Sequence, residues 1–150
     1  NEQLDIAILK RDPEKVTGGT NVWREPLVWA AAEHYQPKST LQLVLSPQPC
    51  IYRARAIAAL DHAHINWQIS YSSPSLAGNI AAVRGGLGIT VLPANMIPTG
   101  IIAIDHKFEL PKLEDSQLAL MKKDSLSPAG NAFVNHIISS LEKPIKLNTK

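Results

Sequence analysis

The chain has 150 residues, of which 45% are hydrophobic and 19% charged, with a formal net charge of +2. That balance suits one folded core or two small lobes and excludes a disordered chain. It also excludes a nucleic-acid binder built on a basic face, because Lys and Arg are dispersed apart from Lys10-Arg11 and Lys122-Lys123.

Leu4–Leu9 is a near-continuous apolar run that predicts a strand buried on both faces. The polar, glycine-containing stretch from Lys10 to Asn21 reads as a loop. Leu27–Ala32 is the next strand. A polar stretch with Pro37 leads to a strand at Leu41–Leu45. Ser46-Pro47 then opens a helix to about His62, with Ile51, Ala54, Ile57, Ala58 and Leu60 as its inward residues. Ile65–Ser70 follows as a strand.

Tyr71–Pro93 is the most informative stretch. Ser73 is placed to cap a helix and Pro74 fits its first turn, where a missing N–H is harmless. Leu76, Ile80 and Val83 share one face of that helix, and Gly85-Gly86 ends it. Leu87–Leu92 is a short apolar strand stopped by Pro93. Gly100–Ile104 and Gln117–Met121 read as further strands. Ser127-Pro128 starts the last helix, whose stripe is Phe133, Val134, Ile137, Ile138 and Leu141, with Pro144 beyond its end.

Strands alternate with helices through the middle of the chain, so the expected architecture is α/β with a parallel sheet. Ser-Pro pairs mark the expected helix starts, at least two of them directly after strands. In open α/β sheets ligands collect at the carboxyl ends of strands, where such turns lie.

Ser72, Ser73 and Ser75 therefore read either as an anion site, using their hydroxyls and the N–H groups of a helix start, or as ordinary capping in solvent. Ser46 and Gln48 read as donors to a carboxylate, or as a cap and an exposed turn residue. Lys10 and Arg11 follow a strand and read as partners of an acidic ligand or as a solvated pair, with Asp12 able to neutralise either. Cys50 near a helix start admits a reactive thiol beside Arg53 and Arg55, although an isolated cysteine is more often a small apolar group. It is the only cysteine, so no internal disulfide forms, which fits a reducing cytosol.

No metal site is expected, because His62 and His64 stand at a helix end and His34, His106 and His136 add no ligand spacing. The GGLG segment is neither a P-loop nor a dinucleotide fingerprint, and Ser127 lacks a nucleophile context, so neither a cofactor nor a catalytic residue is assigned. Trp23, Trp29 and Trp67 read as core or lobe-contact residues. No apolar run approaches the length of a membrane span. The start, Asn1-Glu2-Gln3, has no signal-peptide charge pattern and no initiating Met, so the chain reads as a cytoplasmic fragment of something longer.

The run AVRGGLGITVLP closely resembles the "aGLGia-lP" signature of the effector-binding domain of LysR-type transcriptional regulators. LDIAIL, REPLVWAAAEH, the long stretch LQLVLSPQPCIYRARAIAALDHAHINWQISYSSPSLAG and LSPAGNAFVNHI resemble further segments of that domain in order along the chain. The resemblance implies a two-lobed fold like a type II periplasmic solute-binding protein, with Rossmann-like lobes joined by crossover strands at Leu27–Glu33 and Gln117–Lys123. Residues 1–33 would belong to the first lobe, 37–114 to the second, and 117–150 would cross and return. The family's helix-turn-helix and the opening strand–helix–strand of its first lobe do not appear in this sequence, so that lobe is expected to be incomplete.

The function implied is effector sensing. A small molecule, expected to be an anion, enters between the lobes at Lys10, Arg11, Ser46, Gln48, Ser72, Ser73 and Ser75. The resemblance favours the ligand reading of Ser72, because the matching segment lines the family's cleft. DNA would be bound only through the missing N-terminal domain. The chain would form a homodimer or homotetramer, with the Pro49–His62 helix as a contact surface. A transporter's solute-binding protein is the alternative with the same lobes, and an α/β enzyme using Cys50 is a second.

Overall fold

A computed structural model of the chain describes residues 4–11 and 18–141. It divides into two compact units, one of Asn1–Arg24 with Ser116–Lys150 and one of Glu25–Asp115.

The larger unit is built on strands β3 (Leu27–Ala32), β4 (Leu41–Val44), β5 (Trp67–Tyr71), β6 (Thr90–Pro93) and β7 (Ile101–Ala103), with helices α1 (Ile51–His62) and α2 (Leu76–Arg84). The smaller holds β1 (Ile6–Arg11), most of β2 (Thr20–Glu25), β8 (Ser116–Lys122) and α3 (Pro128–Leu141).

In the larger unit β4 pairs with β5 in parallel, Leu43 bridges Ile89 in parallel, and β6 leads on to β3, which runs antiparallel to both β6 and β7. The sheet is therefore mixed, not parallel throughout. Strand side chains alternate faces, and the core follows that alternation. Trp29, Ala31, Leu43, Ile89 and Val91 pack on one face with Ala56 and Leu60 of α1, while Ala30, Val44 and Leu92 pack on the other with Ala82 and Val83 of α2. The result is a helix–sheet–helix unit with Trp29 fully buried, its indole N–H donating to the Pro111 carbonyl at 2.8 Å.

Several local expectations shift. α1 begins at Ile51, not at Ser46-Pro47. Pro47 and Pro49 each hold the residue before them out of the helical region, so the helix waits until the second proline is passed. Its buried residues are Arg55, Ala56 and Leu60, while Ala54 and Ala58 are exposed. α2 buries Asn79, Ala82 and Val83, and Leu76 at its start is exposed. Gly86, at φ +76°, takes the left-handed position, and Gly85, at φ −72°, does not. Gly86 N–H donates to the Val83 carbonyl at 2.9 Å and Leu87 N–H to the Ala82 carbonyl at 3.1 Å, the paired closure of a Schellman turn. α1 ends the same way with His64 at φ 54°, its N–H donating to Asp61 and that of Ile65 to Leu60.

In the smaller unit the described strands lie in the order β1-β8-β2, and β1 runs antiparallel to β8 from Ile6 opposite Lys122 to Arg11 opposite Gln117. Ile8 and Leu9 of β1 are exposed, against the expectation of burial on both faces. Thr20 and Asn21, expected in a loop, open β2. Ser127 caps α3, its Oγ accepting from Gly130 N–H at 3.1 Å. Val134 is buried, Ile137, Ile138 and Leu141 are half-buried, and Phe133 is exposed. Asp12 and Pro144 lie outside the described residues.

Candidate functional site

Two chain segments leave the carboxyl ends of the parallel strands β4 and β5 and meet at one place. The first is Ser46–Cys50, which bends at Gln48 and Pro49 ahead of α1. The second is Ser72–Ser75, ahead of α2.

Asn79, one turn into α2, joins them. Its Nδ2 donates to Ser46 Oγ at 3.0 Å and to the Ser73 carbonyl at 2.9 Å. Asn79 is only 4% exposed, and its Oδ1 is buried with no hydrogen-bond partner. A buried amide with two donated bonds fixes the spacing of the turns it bridges, because leaving those groups unpaired away from water is costly.

The cap of α2 is Ser75, not Ser73. Ser75 Oγ accepts from Gly78 N–H at 3.3 Å, and Ser73 Oγ accepts from Ser75 N–H at 3.1 Å. The two hydroxyls thus hold the turn in series. Ser72 and Gln48 are exposed and make no hydrogen bond among the described residues. They are the polar groups of this cluster that remain open to a ligand. A helix start beside them adds partial positive charge and unpaired N–H groups, which suits a small anion.

The glycine turn supports the same place from beneath. Ser70 Oγ lies 2.7 Å from the Leu87 carbonyl and 3.1 Å from that of Leu43, sharing its proton between the glycine turn and β4. Ile89 N–H donates to the Gln42 carbonyl at 2.9 Å, and Val44 N–H to the Ile89 carbonyl at 2.8 Å.

Lys10 and Arg11 end β1 in the smaller unit. Lys10 is exposed, and the Arg11 side chain lies outside the described residues. The structure therefore gathers Ser46, Gln48, Ser72, Ser73 and Ser75 in one unit and leaves Lys10 and Arg11 in the other. Cys50 sits at the N-cap of α1, half-buried, and its side chain makes no capping hydrogen bond. Sequence reading missed Asn79. An Asn on a helical face with Val83 carries no local signal, because its partners lie 33 and 6 residues away.

The family model of the LysR substrate binding domain matches residues 1–142. The HTH-type transcriptional regulator PecT of Dickeya dadantii (strain 3937) is 35% identical over 119 residues, covering 78% of this chain and 37% of PecT. The chain thus spans well under half the length of that relative. Among solved structures, the Synechocystis PCC6803 CcmR regulatory domain in complex with 2-PG aligns with a TM-score of 0.72 at 16% identity, covering 94% of this chain and 75% of that one. The bromide-bound regulatory domain of HypT from Salmonella typhimurium aligns with a TM-score of 0.74 at 16% identity, covering 93% and 73%. At such identity these two structures speak for the fold, which is α/β and like that of type II periplasmic binding proteins.

Proposed function

The chain belongs to the LysR family through its substrate-binding domain, and from that premise we propose that it is the effector-sensing and oligomerisation domain of a LysR-type transcriptional regulator. It binds a small anion with Ser46, Gln48, Ser72, Ser73 and Ser75. The observation that carries this reading is the Asn79 bridge, which presets two strand-to-helix turns around the open groups of Ser72 and Gln48. Bromide in HypT and 2-PG in CcmR support a small ligand in domains of this fold.

The protein acts by binding and not by chemistry. A ligand with unequal affinity for two arrangements of the units shifts their populations, which is all that a sensor requires. In the full-length protein that shift alters DNA binding by an N-terminal helix-turn-helix, in the cytoplasm. The domain works as a homodimer or homotetramer. The outward row of α1, with Ala54 and Ala58 exposed and Ile51 and Ile57 half-buried, supports a contact there. The relative PecT is a regulator, and no observation favours a transporter's solute-binding protein.

Titration of the chain with bromide and 2-PG, followed by tryptophan fluorescence, tests the site. Ser72→Ala removes one exposed hydroxyl and is expected to weaken the better of these probes roughly tenfold, the worth of one hydrogen bond to an anion. An unchanged affinity with an intact fold overturns the assignment of Ser72.

A further inference from the structure

The chain passes between its two units twice, at Arg24–Glu25 and at Asp115–Ser116. Beside each passage stands a glutamate, and both glutamates are held by the same helix. Tyr52 Oη donates to Glu25 Oε2 at 2.6 Å. Arg55 Nη1 donates to Glu114 Oε2 at 2.6 Å. Tyr52 and Arg55 are three residues apart, so they lie on one face of α1. Glu25 and Arg55 are buried, which makes each a costly group to leave without its partner.

We propose that α1 is a common tether for both passages, with Tyr52 and Arg55 as positioning residues that set the path of the chain where one unit gives way to the other. The order of the helix explains why one element can serve both. Its first turn places Tyr52 against the end of β2, and the next position on the same face reaches Glu114 just before β8. Arg53, between them, donates from Nη1 to the Ser46 carbonyl at 3.3 Å, so the same helix also touches the turn of the candidate site. A displacement of the Ser46 turn is carried through α1 to the two passages. That last step rests on the proposed effector site, whereas the tether itself does not.

The test uses no ligand, so its failure is separate from failure of the effector reading. Amide exchange is followed residue by residue in the chain and in Tyr52→Phe and Glu114→Ala. Tyr52→Phe is expected to speed exchange at Glu25 and Leu27, and Glu114→Ala at Asp115 and Ser116, each roughly ten- to hundredfold from the loss of one charge-assisted bond. The centre of α1 keeps its protection in both. In a Cys50→Ser background, spin labels at Ala81→Cys and Asn135→Cys report the distance between units. Its distribution broadens in each variant and most in the double variant. Glu114→Gln, unlike Glu114→Ala, keeps an acceptor for Arg55 and holds the parent width, a rescue that a general loss of packing would not give. Glu114 is exposed and Arg55 has a further interaction besides it, so Glu114→Ala keeps the fold even if Tyr52→Phe does not. Unchanged exchange at the passages, or an unchanged distance distribution in folded variants, overturns the proposal.

Discussion

The three glycines of the Gly85–Gly88 turn have three different reasons to be glycine, and alanine at each should separate them. Gly88 is held by space. A Cβ there would lie 2.5 Å from the Gln42 carbonyl oxygen, 2.8 Å from its carbon and 3.0 Å from Ser70 Oγ. Two of those atoms are backbone of β4, which cannot swing aside. Gln42 also receives the Ile89 N–H, so relief of the clash must open the bridge between β4 and the strand after the turn. Overpacking alone costs about 1–3 kcal/mol, and the bridge adds about 1 kcal/mol for each hydrogen bond lost. Gly88→Ala should therefore destabilise the chain by about 3 kcal/mol, a large part of the 5–15 kcal/mol typical of a domain. Gly86 is held by conformation, at φ +76° with only an ordinary contact to His34 Nε2 at 3.5 Å, so Gly86→Ala should cost about 1 kcal/mol. Gly85 has an ordinary φ and contacts no closer than 3.5 Å, so Gly85→Ala should be neutral or slightly stabilising. Urea unfolding followed by circular dichroism gives the three values on one scale. If Gly88→Ala costs no more than Gly86→Ala, the close approach of β4 to this turn is wrong.

Other outcomes follow from the same geometry. Ser75→Ala should cost about 1 kcal/mol as the true N-cap of α2, and Ser73→Ala less; the reverse order in urea unfolding would return the cap to Ser73. Asn79→Ala removes both bonds between the turns and should cost about 2 kcal/mol, a fall in Tm of roughly 4–8 °C for a chain of this size; a change within error by calorimetry would mean that the bridge is not formed. Burial first, and then the hydrogen bond and charge of Glu25, raise the Tyr52 hydroxyl pKa above the usual tyrosine range. The unfolded chain then releases this proton first, near about pH 10, so the contribution to stability is complete below that value and falls as pH rises beyond it. Tyr52→Phe should show a shallower alkaline loss of urea midpoint than the parent, with a residual slope from Tyr35, whose pKa burial also raises. Equal slopes in both proteins would refute the buried pair.

Sequence legibility tracked how local each cause is. β3, β4 and the start of α3 were legible because an apolar run or a Ser-Pro start determines them within a few residues. β2 was not, because Thr20–Glu25 carries a polar alternation beside Gly18 and Gly19 and owes its state to β8, about a hundred residues on in sequence. The buried face of α1 was misread for a related reason. Apolar residues surround that helix, so periodicity chooses no side, and the buried side carries Ala56, Leu60 and an Arg55 that is bonded to a carboxylate 59 residues away. A buried arginine contradicts any hydrophobicity rule until its partner is known.

The candidate site divides along the same line, and the division says what kind of site it is. Its serines were visible, since hydroxyls at strand-to-helix turns are a local pattern. What makes a receptor of them was not visible: Asn79 spans from α2 to Ser46, and Ser70 spans from β5 to the carbonyls of Leu43 and Leu87. Each of these bonds joins segments that separate strands have brought together, so the placing of these turns is set by the fold of one unit. A site proposed on turns already ordered loses little free energy to ordering them on binding. Glu25 and Glu114, beside the passages between units, are each bonded to α1.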